Sequence, residues 1–135
     1  MNKKEKKFKL FEVTGIELEY MVVDRTTLKV LPIVDKLFED VTGKITGDVE
    51  RGDVEWSNEL VSHVVELKTA KPTKKIPPFR RKFAKEVKAI NNILAKRNAM
   101  LLPTAAHPFM DPFTETVIWP HEYNEVYALY NRIFD

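Results

Sequence analysis

The chain has 135 residues, 44% hydrophobic and 31% charged, with a net charge of +2, which points to one globular domain with a real core rather than a disordered segment. It contains no cysteine, so disulfides, zinc–thiolate centres and thiol catalysis are excluded within it. No stretch approaches the roughly 20 apolar residues of a membrane helix, and the basic start from Met1 to Lys9 lacks the apolar run of a signal peptide. A cytoplasmic protein without a membrane partner is expected.

In chain order, residues 1–10 read as a basic tail and residues 11–135 as one unit. A β-branched and aromatic run predicts a strand over residues 12–23. A turn at Asp24-Arg25-Thr26-Thr27 and a returning strand over 28–31 follow. Pro32 opens a helix over 33–41, stopped by Gly43. Residues 45–56, around Gly47 and Gly52, read as a further strand or a wide turn. The valine-rich stretch 59–69 predicts a central strand. The prolines at 72, 77 and 78 mark a loop, since proline removes a donor and fixes φ.

Phe79, Phe83, Val87, Ile90 and Leu94 recur at the spacing of one helix face, with Arg80, Arg81, Lys82, Lys85 and Lys88 elsewhere. This predicts a helix from about 79 to 96. A short strand at 100–103, an irregular segment and a last helix from about 121 complete the series. Tyr123, Val126, Tyr127, Tyr130 and Ile133 form a stripe on that last helix. The end at Asp135 directly after it, with no capping glycine or trailing polar segment, suggests a cut or truncated chain. The fold class expected is α+β: a predominantly antiparallel sheet with helices on one face and acidic side chains on the other.

Charge is segregated along the chain. Residues 10–66 hold 13 acidic and five basic side chains, whereas residues 67–97 hold 11 basic ones and a single acid, Glu86. Such a division fits self-complementary packing, a cation site beside a phosphate site, or a basic helix for nucleic acid. Phe79 and Phe83 fall on the predicted buried face, so the basic segment lacks accessible rings for stacking bases. Nucleic acid is therefore an unfavoured partner.

Gly15-Ile16-Glu17-Leu18-Glu19-Tyr20 places two carboxylates two residues apart in a strand, where they share a face while Ile16, Leu18 and Tyr20 face the core. Such a pair marks either a solvated face or a cation site, since a hard divalent ion relieves the repulsion of adjacent carboxylates. The three histidines have structural readings: His107 before Pro108 in a loop, His63 as a hydrogen-bonded sheet residue, His121 at a helix start. Their separations match no metal-ligand spacing. Neither a glycine-rich phosphate loop nor a Ser-His-Asp arrangement is evident.

Four segments and a tail occur in one order: the Gly15–Tyr20 stretch, Glu59-Leu60-Val61-Ser62-His63-Val64-Val65-Glu66-Leu67-Lys68-Thr69, a long helix ending in Asn92-Ile93-Leu94-Ala95, Leu101-Leu102-Pro103-Thr104-Ala105-Ala106-His107-Pro108-Phe109, and Tyr127-Ala128-Leu129-Tyr130-Asn131-Arg132-Ile133-Phe134. Together, over residues 11–134, they resemble the N-terminal part of the glutamate–cysteine ligase family, in its carboxylate–amine ligase branch. The resemblance implies part of a glutamine-synthetase-like fold, a curved antiparallel sheet that holds magnesium or manganese and ATP on its concave face. It implies an ATP-dependent ligase of glutathione biosynthesis, which activates the γ-carboxylate of glutamate as an acyl phosphate for attack by cysteine or another amine.

By that resemblance Glu17, Glu19, Glu66 and Glu59 match metal-binding carboxylates, while the residues that contact ATP and those that are catalytic are not assigned. Glu59 and Glu66 have opposite parity, so a bulge or bend near Glu59 is required to aim both at one site. The family's later strands would lie past residue 135, and the segment alone is expected to be inactive. Rival readings are a non-catalytic interaction domain on the same fold and weak nucleic-acid binding through the basic helix. Exposed sheet edges would favour a homo-oligomer.

Overall fold

The computed structural model of the chain describes residues 7–104, 106–122 and 125–134. Most of the expected basic tail, and Tyr123 of the last stripe, lie outside these residues. Five strands form one sheet: β1 (Glu17–Asp24), β2 (Asp48–Arg51), β3 (Val54–Asn58), β4 (Val64–Thr69) and β5 (Ala99–Leu102). Their order is β2-β3-β4-β1-β5, and every pairing is antiparallel. With the helices α1 (Val34–Thr42), α2 (Phe79–Leu94), α3 (Pro112–Glu115) and α4 (Glu125–Phe134), the protein is α+β, as expected. The valine-rich strand is the central one.

The 3.6-residue pattern sets the helix-covered face. Leu37 and Phe38 of α1 and Phe79, Phe83, Ile90 and Leu94 of α2 are buried in one cluster with Val22, Trp56, Leu67 and Leu101 of the sheet. By strand alternation, Leu18 and Tyr20 stand on this face and pack at its rim. Gly43 stops α1 at φ 75, its N–H bonding to the Glu39 carbonyl; a left-handed C-terminal residue is where glycine avoids a Cβ penalty. Gly52, at φ 77, turns β2 into β3, which resolves residues 45–56 as a two-residue hairpin.

Three expectations need correction. Residues 28–31 form no strand. The Asp24 carboxylate accepts the N–H groups of Thr26 (2.9 Å) and Thr27 (2.7 Å), Leu28 turns left-handed at φ 60, and only an isolated bridge joins Val23 to Val30. The returning segment still bonds back onto β1, Asp24 N–H to the Lys29 carbonyl and Leu31 N–H to that of Val22, both at 2.9 Å, too briefly for a strand. The central strand begins at Val64, not at 59, because residues 60–62 are drawn to another segment: Ser62 N–H bonds to the Val117 carbonyl at 2.8 Å and Trp119 N–H to that of Leu60 at 2.9 Å. The last helix starts later than 121, since His121 and Glu122 are not helical and its described part runs from Glu125; Val126, Tyr130 and Ile133 are exposed, leaving Tyr127 as the described member of the stripe that packs against the core.

Part of the charge segregation is spent inside the fold. Arg51 Nε lies 2.9 Å from Glu86, Arg97 Nη2 2.8 Å from Asp40, Lys74 Nζ 2.9 Å from Glu12, and Lys82 pairs with Asp53. Each joins the acidic stretch to the basic one, the packing alternative among the three readings of that division. Phe79 and Phe83 are buried, as the helix pattern predicts.

Candidate functional site

Register carries the carboxylates from sequence into space. Glu17, Glu19 and Met21 alternate onto the sheet face opposite the helices. Antiparallel pairing sets Glu19 against Glu66 and Glu17 against Lys68. On the other side of β4, Ser57 stands opposite Glu66 and Glu55 opposite Lys68. Two rows therefore cross three strands, Glu19–Glu66–Ser57 and Glu17–Lys68–Glu55. Farther along the same face Met21, Val23 and Val64 build a second, smaller core with Val30. The acidic rows thus end against an apolar wall.

Glu66 is only 7% exposed. Its Oε1 accepts the Ser57 hydroxyl at 2.8 Å and lies 3.1 Å from Lys68 Nζ, which also stands 3.6 Å from Glu55. Burial works against the Lys68 ammonium, but Glu66 and Glu55 outweigh it and hold its pKa above the ordinary lysine value. Glu59 follows β3 at the bend that the parity argument requires. Its carboxylate accepts the Leu60 N–H at 3.2 Å. Burial pushes the Glu59 pKa up, the Leu60 bond opposes it, and the charges of Glu66 and Glu19 add to the rise. Glu19, Glu59 and Glu66 thus form one electrostatic cluster, with Glu17 in the neighbouring row.

The chemistry of the donor set, carboxylate oxygens throughout, fits a hard divalent ion such as magnesium or manganese. Among the described residues no three histidine or carboxylate side chains already surround one point as ligands. The counter-charge in place is Lys68, so an ion bound here has to draw Glu66 away from it.

The histidines divide. His107 Nε2 donates to the Leu28 carbonyl at 2.8 Å, and its Nδ1 accepts the Phe109 N–H at 3.1 Å; both bonds tie loop to loop, in line with a structural role. His121 is tied to α1, its Nε2 lying 3.0 Å from Asp35. His63 is 1% exposed, and its Nδ1 is buried with no hydrogen-bond partner among the described residues, contrary to the expected hydrogen-bonded side chain. Its carbonyl, by contrast, accepts the Val22 N–H at 2.7 Å. Burial holds its pKa below the ordinary histidine value. Glu19, Glu59 and His63 line one cleft of ≈ 320 Å³ with Met21, Val64 and Met110.

Sequence reasoning missed three members of the site. Lys68, two residues after Glu66, carried a usable signal, since equal parity puts both on one face. Ser57 carried none, because its partner is set by the β3–β4 register. Tyr127 arrives from α4: burial raises its phenol pKa, and the charge of Glu59 raises it further.

No protein-family model and no solved structure matches the chain. Among curated proteins it is similar to an uncharacterized protein of Archaeoglobus fulgidus, 26% identical over 121 residues, a match covering 90% of this chain. The chain spans 32% of that relative's length.

Proposed function

We propose that this chain is the N-terminal portion of an ATP- and magnesium-dependent carboxylate–amine ligase resembling the glutamate–cysteine ligases. In this reading ATP phosphorylates the γ-carboxylate of glutamate, and an amine displaces phosphate from the acyl phosphate with loss of a proton. The sheet would be one wall of a glutamine-synthetase-like site in the cytoplasm, with the remaining wall supplied by further sequence. The observation that carries the reading is the pairing of Glu19 with Glu66 across β1 and β4, with Glu59 drawn into the same field. Like charges directly opposite destabilise a sheet, and a fold that keeps them is consistent with their serving a cation.

Glu17, Glu19, Glu66 and Glu59 would hold the ion. Magnesium there would offset charge on phosphate oxygens and position them for transfer. The test is thermal unfolding with and without magnesium or manganese, for the native chain and for Glu17→Gln, Glu19→Gln. A chain stabilised at millimolar metal by mass action, and a double variant more stable without metal but indifferent to it, are expected. A native chain that ignores both metals defeats the assignment.

A further inference from the structure

The turn that precedes β1 presents its apolar side chains to solvent. Lys9 and Glu12 close it twice: the Lys9 carbonyl accepts the Glu12 N–H at 3.0 Å, and the Lys9 N–H donates to the Glu12 carboxylate at 3.0 Å. At the tip, Leu10 and Phe11 are 83% and 91% exposed, and Phe11 stands in the left-handed region at φ 61, where a bulky residue is an outlier. An ordered turn that holds two large apolar groups in water, one of them against its backbone preference, points to a surface that covers them. The setting is basic. An antiparallel bridge between Thr14 and Thr73 lays the turn beside residues 73–75, and Lys74 Nζ reaches Glu12 at 2.9 Å. Residues 71–81 carry five basic side chains and no acid, with Lys75, Ile76, Arg80 and Arg81 exposed among them. Ile76, Pro77, Arg80 and Arg81 line one open groove of ≈ 690 Å³, so apolar and cationic groups share this side of the molecule.

We infer that this patch docks on an anionic lipid surface, with Leu10 and Phe11 entering the acyl boundary and the basic side chains lying at the headgroup phosphates. At a bilayer interface a small apolar insertion and electrostatic attraction add, where either alone binds only marginally. The apolar tip projects, so a protein partner would need a pocket shaped for it, whereas an acyl layer admits any such shape. Most of the surrounding charges are lysines, compact ions on flexible stems that suit diffuse headgroup charge. For nucleic acid, one exposed ring gives one platform, where successive bases each stack on their own. Among the described residues no helix is long and apolar enough to cross a membrane, so the contact is peripheral, a kind that the expectation of no membrane partner did not consider. It does not depend on the ligase reading.

The experiment is flotation of the chain with vesicles of phosphatidylcholine alone or mixed with phosphatidylserine, with Phe11→Trp as a fluorescent reporter. Binding to the mixed vesicles about tenfold tighter or more, weakened by salt, is expected, with a blue shift of the added indole. Leu10→Ser, Phe11→Ser should weaken it by about tenfold or more, and Lys75→Gln, Arg81→Gln by about fivefold or more. Lys96→Gln, exposed just past the far end of α2, should change it less than about twofold, since charges beyond a Debye length are screened. Inorganic phosphate and glycerophosphoserine should not compete, which separates a lipid surface from a free phosphate group. No preference for phosphatidylserine, an indole that stays in water, or binding undiminished by the loss of Leu10 and Phe11 overturns the inference. So does tighter binding to polyglutamate or to an oligonucleotide than to the vesicles, which would make the patch a site for an acidic chain.

Discussion

Glu59 and His63 sit in one cleft and respond to pH in opposite senses. The Glu59 carboxyl is raised above its ordinary value of 4.5. Its contribution to stability is therefore fully present below that value and lost as pH rises through the folded-state pKa. The His63 imidazole is lowered below 6.5, so its contribution is present above 6.5 and lost as pH falls through the folded-state pKa. Urea midpoints measured between about pH 4 and 8 should separate them. Glu59→Gln should be more stable than the parent at neutral pH and should flatten the alkaline limb. His63→Phe should flatten the acid limb. A Glu59→Gln chain that loses stability at pH 7 would mean that the charged form is favoured in the fold, contrary to the electrostatics of the cluster.

The helix α2 was legible from its repeat, and its energetics follow from that face. Phe83 is buried in the main core, and Phe83→Ala should cost about 3–5 kcal/mol in denaturant unfolding; a neutral effect would remove α2 from the core. The repeat did not show that Glu86 is buried as well, 5% exposed and bonded to Arg51. Its partner is 35 residues away in β2, and no period of a single helix can reveal that. Arg51→Leu should cost about 1–3 kcal/mol, since it strands a buried acceptor, with Glu86→Leu in the same background recovering part of the loss. The hairpin expected at 24–31 forms only in part, as a turn and one bridge. Asp24 and the left-handed Leu28 close a local turn, and two backbone bonds carry the chain back along β1, but the full ladders of β1 go to β4 and β5, far away in the chain.

At the scale of the whole molecule, α2 carries Arg80, Arg81, Lys85 and Lys88 on its exposed side, while its rings Phe79 and Phe83 are buried, and stacking on bases needs accessible rings. Duplex DNA should associate weakly, with affinity falling steeply with salt because each neutralised phosphate releases counterions. Tight binding at physiological salt that depends on Arg80, Arg81 and Lys85 would reverse this ranking. The sequence alone determined the α+β class, the core face of α2 and the shared face of Glu17 and Glu19. All three follow from backbone periods of 3.6 and 2, which any segment carries within itself. The tertiary structure decided that Glu19 meets Glu66, that Lys68 stands in the next row, that Glu59 bends into the same field and that His63 Nδ1 finds no partner among the described residues. Those are matters of strand order and register, set by pairings between residues far apart in the chain, and no local period encodes them.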